Sequence, residues 1–347
     1  MISAVVPRDE AGPSEGAMPL GLIETNAPAA GPIIVSREAS LMGGRVAVHI
    51  HPGAAPLAAN RDGDLVLRRL GAWADRLTRF RTTSDLMRLN ADPRAAVPIR
   101  PTLAAVLDWG RAAESATDSI VNVAMLDHRL AAEATPDAAV GALRSGGRVD
   151  SNRPVGASDS WSMDRGARTT WVRRPNGLHF DLDGVAKGWL ADRALALLGR
   201  YPAAVIDADG DIALRLAPGE SWWIGVADPN RPERDLATLR LTGTSSILST
   251  TFGMATSGTS VHRWGRGGPL RHHLIDPRTG FPAETDIVQA TVIAGSARTA
   301  EAWAKAAVIL GSADALAALD RPGVKGAILV TDAGDLLMPP STMRYLA

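Results

Sequence analysis

Phe180-Asp181-Leu182-Asp183-Gly184-Val185-Ala186-Lys187-Gly188-Trp189-Leu190-Ala191-Asp192 is the stretch on which the reading of this chain turns. A short strand-like run breaks at a glycine, and a helical pattern starts with a lysine in its first turn. A helix that begins here presents unbonded backbone N–H groups and the positive end of its dipole. Gly184 lets a ligand approach the backbone and Lys187 adds a formal charge, a combination that suits a pyrophosphate. The G-x-x-x-x-G-K-[ST] spacing of a Walker A loop is absent. Read alone, the segment fits an ordinary strand–turn–helix with a solvated lysine better than it fits a phosphate site.

Downstream, the chain is rich in short strand patterns: AAVID, DIALRL, SWWIGVA, SSILST, HHLID, IVQATVIA and a final pair, KGAILVT and DLLM, turning at Asp332-Ala333-Gly334. The segment LHFDL reads the same way. Helical patterns interrupt them at about 185–198 and 297–310. Upstream, 45–50 (RVAVHI) predicts a strand, 64–80 a helix with Asp64 as its cap, Pro101-Thr102 opens a second helix, and Thr135-Pro136-Asp137 a third. Residues 148–170 read as a loop or linker. Strands with interspersed helices in no strict βαβ alternation argue for an α+β fold with mainly antiparallel sheets. Residues 1–32 read as a disordered Pro/Gly/Ala/Glu tail and 33–347 as one domain.

Bulk composition removes whole classes of function. No cysteine occurs among 347 residues, which excludes disulfides, thiolate metal sites and a cysteine nucleophile. Lys plus Arg and Asp plus Glu are both 37, so the net charge gives no overall attraction for nucleic acid or anionic lipid. No run of 18 apolar residues spans a membrane and no signal-peptide pattern opens the chain, so this reading places it in the cytoplasm.

Two further segments carry chemistry. Val205-Ile206-Asp207-Ala208-Asp209-Gly210-Asp211-Ile212 sets three acids and a glycine between strands, as any tight turn would. From Gly253 to Gly280, Thr256-Ser257-Gly258 is a hydroxyl-rich turn, and His272-His273 precede Leu274-Ile275-Asp276-Pro277-Arg278-Thr279-Gly280. Adjacent strand residues point to opposite faces, so only one of His272 and His273 should face a given pocket. Trp222 and Trp223 should likewise split between core and surface or cleft.

Taken together these segments resemble the ApbE family, the FAD:protein FMN transferases. The family pattern finds counterparts in Met42-Gly43-Gly44, in Ser84 to Asn90, in 183–192, in 207–212, in Thr256-Ser257-Gly258 and in His273 to Gly280, in the family's order. The resemblance implies a two-lobed fold binding FAD in a cleft, usually with Mg²⁺ on its pyrophosphate. A Thr or Ser hydroxyl of an acceptor flavoprotein then attacks the FMN phosphorus and AMP leaves. It implies His273 as the base; if the chain is an active transferase, Lys187 and Lys305 bind the pyrophosphate, and Thr256, Ser257 and Thr279 hold polar edges of the nucleotide. Met42, Asp183, Gly184, Ala186, Asp192, Asp209, Gly258 and Asp276 complete the implied nucleotide site.

This chain departs from the family where it matters most. The family's last helix carries an Asp and a Thr that ligate the metal; Glu301 and Lys305 stand here. An ammonium cannot ligate Mg²⁺ and repels it, so no bound Mg²⁺ is expected. Either Lys305 replaces the metal as a fixed charge oriented by Glu301, or the two form a plain i,i+4 salt bridge in an inactive site. The alternative to a transferase is therefore a non-catalytic FAD-binding protein, a carrier or sensor on the same fold. Asp183-Gly184 and Asp209-Gly210 replace family Gly-Gly pairs, and 117–123 keeps little of the family's Thr-Asp-Gly segment.

Overall fold

The computed structural model describes residues 2–5, 33–133, 160–244, 248–259, 263–264 and 271–347. Strands β2 (Val35–Leu41) and β3 (Gly44–His51) form a hairpin whose link, Met42-Gly43, has φ of 56° and 81°. Strands β7 (Ala203–Ala208) and β8 (Asp211–Leu216) are joined the same way by Asp209-Gly210, at 57° and 91°. Positive φ at both link residues marks a type I′ turn, whose twist matches that of the strands it joins.

With β11 (Thr250–Gly258), β14 (Ile287–Ala294), β15 (Val324–Thr331) and β16 (Leu336–Leu337) these strands make an eight-stranded sheet. Its order is β16-β15-β14-β11-β8-β7-β3-β2, and every neighbouring pair is antiparallel. The mid-sheet strands are buried on both faces. On β7, Ala203 and Val205 enter one apolar cluster while Ala204 and Ile206 enter the other, the period-2 alternation of a strand packed on both sides. One face is covered by the outer strands β9 (Ser221–Ala227) and β10 (Asp235–Thr242), through Trp222, Ile224, Val226, Leu239 and Leu241.

Helices cover the other face. α1 (Pro56–Leu77) lies on β2 and β3, α5 (Ala186–Leu195) on β7 and β8, and α6 (Ala297–Leu310) on β11 and β14. α5 and α6 touch where Gly188 meets the start of α6: a Cβ there would sit 2.6 Å from the Ala297 carbonyl oxygen. α7 (Ser312–Leu319) follows α6 against β15. A second group of elements comprises α2 (Asp85–Ala91), α3 (Pro101–Ala116), α4 (Leu126–Glu133) and a small sheet of β4 (Ala96–Ile99), β6 (Thr170–Arg173) and β5 (Ser162–Arg165). The fold is thus α+β with mainly antiparallel sheets and flanking helices. Among the described residues no helix is long and apolar enough to cross a membrane.

Several expectations need correction. α1 starts at Pro56, not after Asp64, because proline at the first helical position needs no backbone donor. Residues 178–182 are not a strand; other partners hold their backbone, as described below. HHLID contributes only β13 (Arg271–His272), paired with β12 (Arg263–Trp264), and one bridge from Ile275 to Pro282. Within the expected linker, Ser162–Arg165 is a strand of mostly exposed residues. Within the expected tail, Ile2–Val5 is β1, pairing with the edge of β9 that β10 leaves open. The helix expected at Thr135-Pro136-Asp137 lies outside the described residues. Trp222 is 1% exposed in the core, whereas Trp223 stacks with Arg240 at 5.1 Å.

Candidate active site

The site lies where the α2–α4 group meets the large sheet with its helices. Its backbone is pinned first. Ser84 caps α2, accepting from the Met87 N–H at 3.0 Å. At the other end of that helix, Asn90 is buried and grips Phe180 twice: its Nδ2 donates to the Phe180 carbonyl and its Oδ1 accepts the Phe180 N–H, both at 2.8 Å. The Asp181 N–H donates to the Val123 carbonyl at 2.8 Å. Side-chain and loop partners thus take the hydrogen bonds that a sheet ladder would have supplied, which is why this segment is not a strand.

The pinned segment delivers two carboxylates to one arginine. Arg129, on α4, places Nη1 3.2 Å from Asp181 Oδ2, bonds Asp183 Oδ2 with the same nitrogen, and donates from Nε to Glu133 Oε1 at 2.9 Å. Arg79 donates to the same Glu133 oxygen at 2.6 Å. Burial works against the charge on Arg129, but Asp183 and Asp181 outweigh it and hold its pKa above the ordinary value. Burial likewise opposes ionisation of Asp183, yet Arg129, then His273 and Lys305, keep it well below the usual carboxylate range. Asp181 goes the other way: burial and the neighbouring Asp183 raise it against the pull of Arg129.

Lys305, on α6, reaches the same spot. Its Nζ donates to the Asp183 carbonyl at 3.1 Å, and its stem passes over Gly184. Gly184 sits at φ 96°, and a Cβ there would lie 2.7 Å from Lys305 Cδ and Nζ, so the lysine's path requires glycine twice over. Burial lowers the pKa of Lys305, against the pull of Asp183 and Asp181. Glu301, one turn earlier and 3% exposed, accepts the Gly188 N–H at 2.9 Å. The pair is therefore not a simple helix salt bridge: Glu301 faces α5 and Lys305 faces the pocket.

His273 lines that pocket with Asp183, Lys305, Arg129, Ile275 and Pro277. Its neighbour His272 turns inward, with Nε2 3.0 Å from the Ala283 carbonyl and Nδ1 accepting the Leu274 N–H at 3.3 Å. That pattern requires a neutral ring with its proton on Nε2. Ile120, Asn122 and Met125 add a less polar wall.

The remaining predicted residues divide between this pocket's rim and structural work. Lys187 forms an ion pair with buried Asp211 at 3.1 Å, so its charge is turned against β8. Burial would lower its pKa, but Asp211 and Glu301 raise it. Burial pushes Asp211 up to about 6 despite Lys187. Burial and Asp211 likewise hold Glu301 well above the ordinary value. Ala186 is the first residue of α5. Met42 and Asp209 sit on the two adjacent hairpin tips, where the Asp209 N–H donates to the Arg45 carbonyl at 3.0 Å and its carboxylate lies over Gly44. Asp192 caps α6, accepting the N–H groups of Ala297 at 2.9 Å and Arg298 at 3.2 Å. Asp276 holds Arg278, with Nη2 to Oδ2 at 2.8 Å, and Thr279 Oγ1 accepts the Phe281 N–H at 3.2 Å. These bonds close the turn that carries His273. Thr256 Oγ1 bonds Thr291 Oγ1 across the sheet at 2.7 Å; Ser257 pairs with Ala290 and shares the helix-side face with Ala255, and Gly258 pairs with Gln289.

Sequence reasoning missed Arg129, Asp181 and Asp211 as site residues and gave Asn90 no role. Arg129 and Glu133 at i,i+4 were a visible signal.

The side chains at the family's metal positions do not fit Mg²⁺, which takes oxygen ligands in near-octahedral array. Lys305 offers an ammonium with no lone pair, and the Oε2 of Glu301 is taken by the Gly188 N–H.

A model of the ApbE family matches residues 42–328. The chain belongs to the ApbE family. Among curated relatives it is similar to an FAD:protein FMN transferase of Klebsiella pneumoniae (strain 342), 26% identical over 323 residues, covering 90% of this chain and 94% of that one. An FAD:protein FMN transferase of Treponema pallidum (strain Nichols) is 32% identical over 169 residues, a match spanning 45% of each protein. Among solved structures, the ApbE protein of Thermotoga maritima superposes with a TM-score of 0.73 at 19% identity, covering 91% of this chain and all (100%) of that one. The Pseudomonas stutzeri flavinyl transferase ApbE gives 0.68 at 19% identity, over 89% and 95% of the two chains. At that identity the superpositions speak for an ApbE fold.

Proposed function

We propose that this protein is an FAD:protein FMN transferase, moving FMN from FAD to a Thr or Ser hydroxyl of an acceptor protein and releasing AMP. The observation that carries the reading is the meeting of His273, Lys305 and the Arg129–Asp183 pair in one pocket of an ApbE fold. Phosphoryl-group chemistry of this kind needs positioning, charge and a proton acceptor rather than covalent help from the protein. His273 would take the proton as the acceptor oxygen bonds the FMN phosphorus. The bond from that phosphorus to the bridging oxygen breaks, and AMP leaves with the electron pair. Arg129 and Asp183 hold each other, and Asp183 presents its carbonyl to Lys305, so the cation is fixed before substrate arrives.

The test is a His273→Ala variant, assayed with FAD and a Thr-containing acceptor domain by intact mass. Loss of transfer with FAD binding retained supports the reading; unchanged transfer removes His273 from it. The departure at Glu301 and Lys305 favours a second reading, a non-catalytic FAD carrier or sensor. It predicts FAD bound and no transfer by the wild type under any condition.

A further inference from the structure

The charges at the pocket are taken up unevenly. Arg129 faces Asp181, Asp183 and Glu133, and Lys187 faces Asp211. Lys305 instead donates to a neutral oxygen, the Asp183 carbonyl, at 3.1 Å. An ammonium has three donors, so two remain to be directed at other acceptors. Its stem is fixed over Gly184, at the head of the turn that leads into α5. A backbone carbonyl is also what a hard cation would take as a ligand. Lys305 thus stands beside such an oxygen with a cation's charge, beside a glycine that lets a ligand come close, and within a helix whose other key side chain, Glu301, is held by the Gly188 N–H.

We infer that Lys305 is a built-in cation for the nucleotide's pyrophosphate, so that this protein binds FAD and transfers FMN without a divalent metal. The inference rests on the transferase reading. Lys305 would touch phosphate oxygens directly, its charge answering the negative charge that the acid-rich surroundings otherwise oppose. A lysine that replaces an ion also removes the ion's exchange: the charge is present in every molecule and insensitive to chelators.

The test is FAD binding by flavin fluorescence and FMN transfer by intact mass, each in EDTA and in Mg²⁺. The wild type is expected to bind and transfer equally well in both. Lys305→Met keeps the stem over Gly184 and removes the charge; it should weaken FAD binding in EDTA about tenfold or more. Lys305→Thr with Glu301→Asp removes the lysine and restores oxygen ligands; its binding should return only with Mg²⁺. Thermal unfolding of each variant separates a folding defect from a lost contact. Wild-type binding that requires Mg²⁺ overturns the inference and leaves the transferase reading standing, as does Lys305→Met binding FAD as tightly as wild type in EDTA. Failure to bind FAD under either condition overturns both.

Discussion

Replacing Arg129 by methionine keeps the volume of the stem and takes the guanidinium from Asp181 and Asp183, while Glu133 keeps Arg79. Asp181 and Arg129 are both 9% exposed at the side chain, whereas Asp183 is 39% exposed and partly screened by water. Removing one partner of a buried ion pair costs roughly 3–5 kcal/mol, and the exposure of Asp183 argues for the lower end, about 3 kcal/mol. For a chain of 347 residues, whose unfolding entropy is correspondingly large, that corresponds to a fall in Tm of roughly 4 °C. The loss should depend on pH with a definite sign. Asp183 is depressed in the folded protein, so its contribution is present above its unfolded pKa and is lost as pH falls through the folded value. Without Arg129 that contribution disappears and Asp181, already raised, rises further. The gap between wild type and variant should therefore be widest near neutral pH and close as pH falls below about 5. Thermal unfolding of both proteins across that range is the assay. A loss below about 1 kcal/mol, typical of a surface pair, or a gap that does not change with pH, would refute the account of this arginine.

Three other substitutions follow from the same geometry. Asn90→Ala strands the backbone of Phe180 and should cost about 2–3 kcal/mol in chemical denaturation, with weaker FAD binding because the segment that leads into Asp183 loses its hold at Phe180. Gly184→Ala should destabilise by at least about 1 kcal/mol and displace Lys305, raising the Kd for FAD more than it lowers Tm. Asp192→Ala strands the first two N–H groups of α6, leaving the Ser296 cap on Thr299, and should cost about 1–2 kcal/mol with little change in FAD affinity, which equilibrium binding would check.

The sheet was legible where strands are buried on both faces or alternate cleanly, as in AAVIDA and IVQATVIA, and α6 where its apolar spacing is long. Segment 178–182 was misread because its pattern is strand-like while its hydrogen bonds go to Asn90 and Val123. β5 was hidden by polar residues, exposed on a small sheet, that read as loop. In the site, a local motif pointed to Gly184, and the family resemblance to His273 and Lys305. They could not show Arg129, whose carboxylate partners lie 52 and 54 residues away. Nor could they show that Lys187 turns to Asp211, or that Asp192 and Asp276 hold backbone and arginine: spacing tells which residues share a face but not which long-range partner each side chain finds.

The most direct test of the central claim is to incubate the purified protein with FAD and a Thr-containing acceptor domain, measuring acceptor mass and released AMP together. The account predicts a mass gain of one FMN phosphoester per acceptor, with AMP released in equal amount. FMN and AMP appearing free in solution with the acceptor unmodified, or FAD bound and intact, would contradict it.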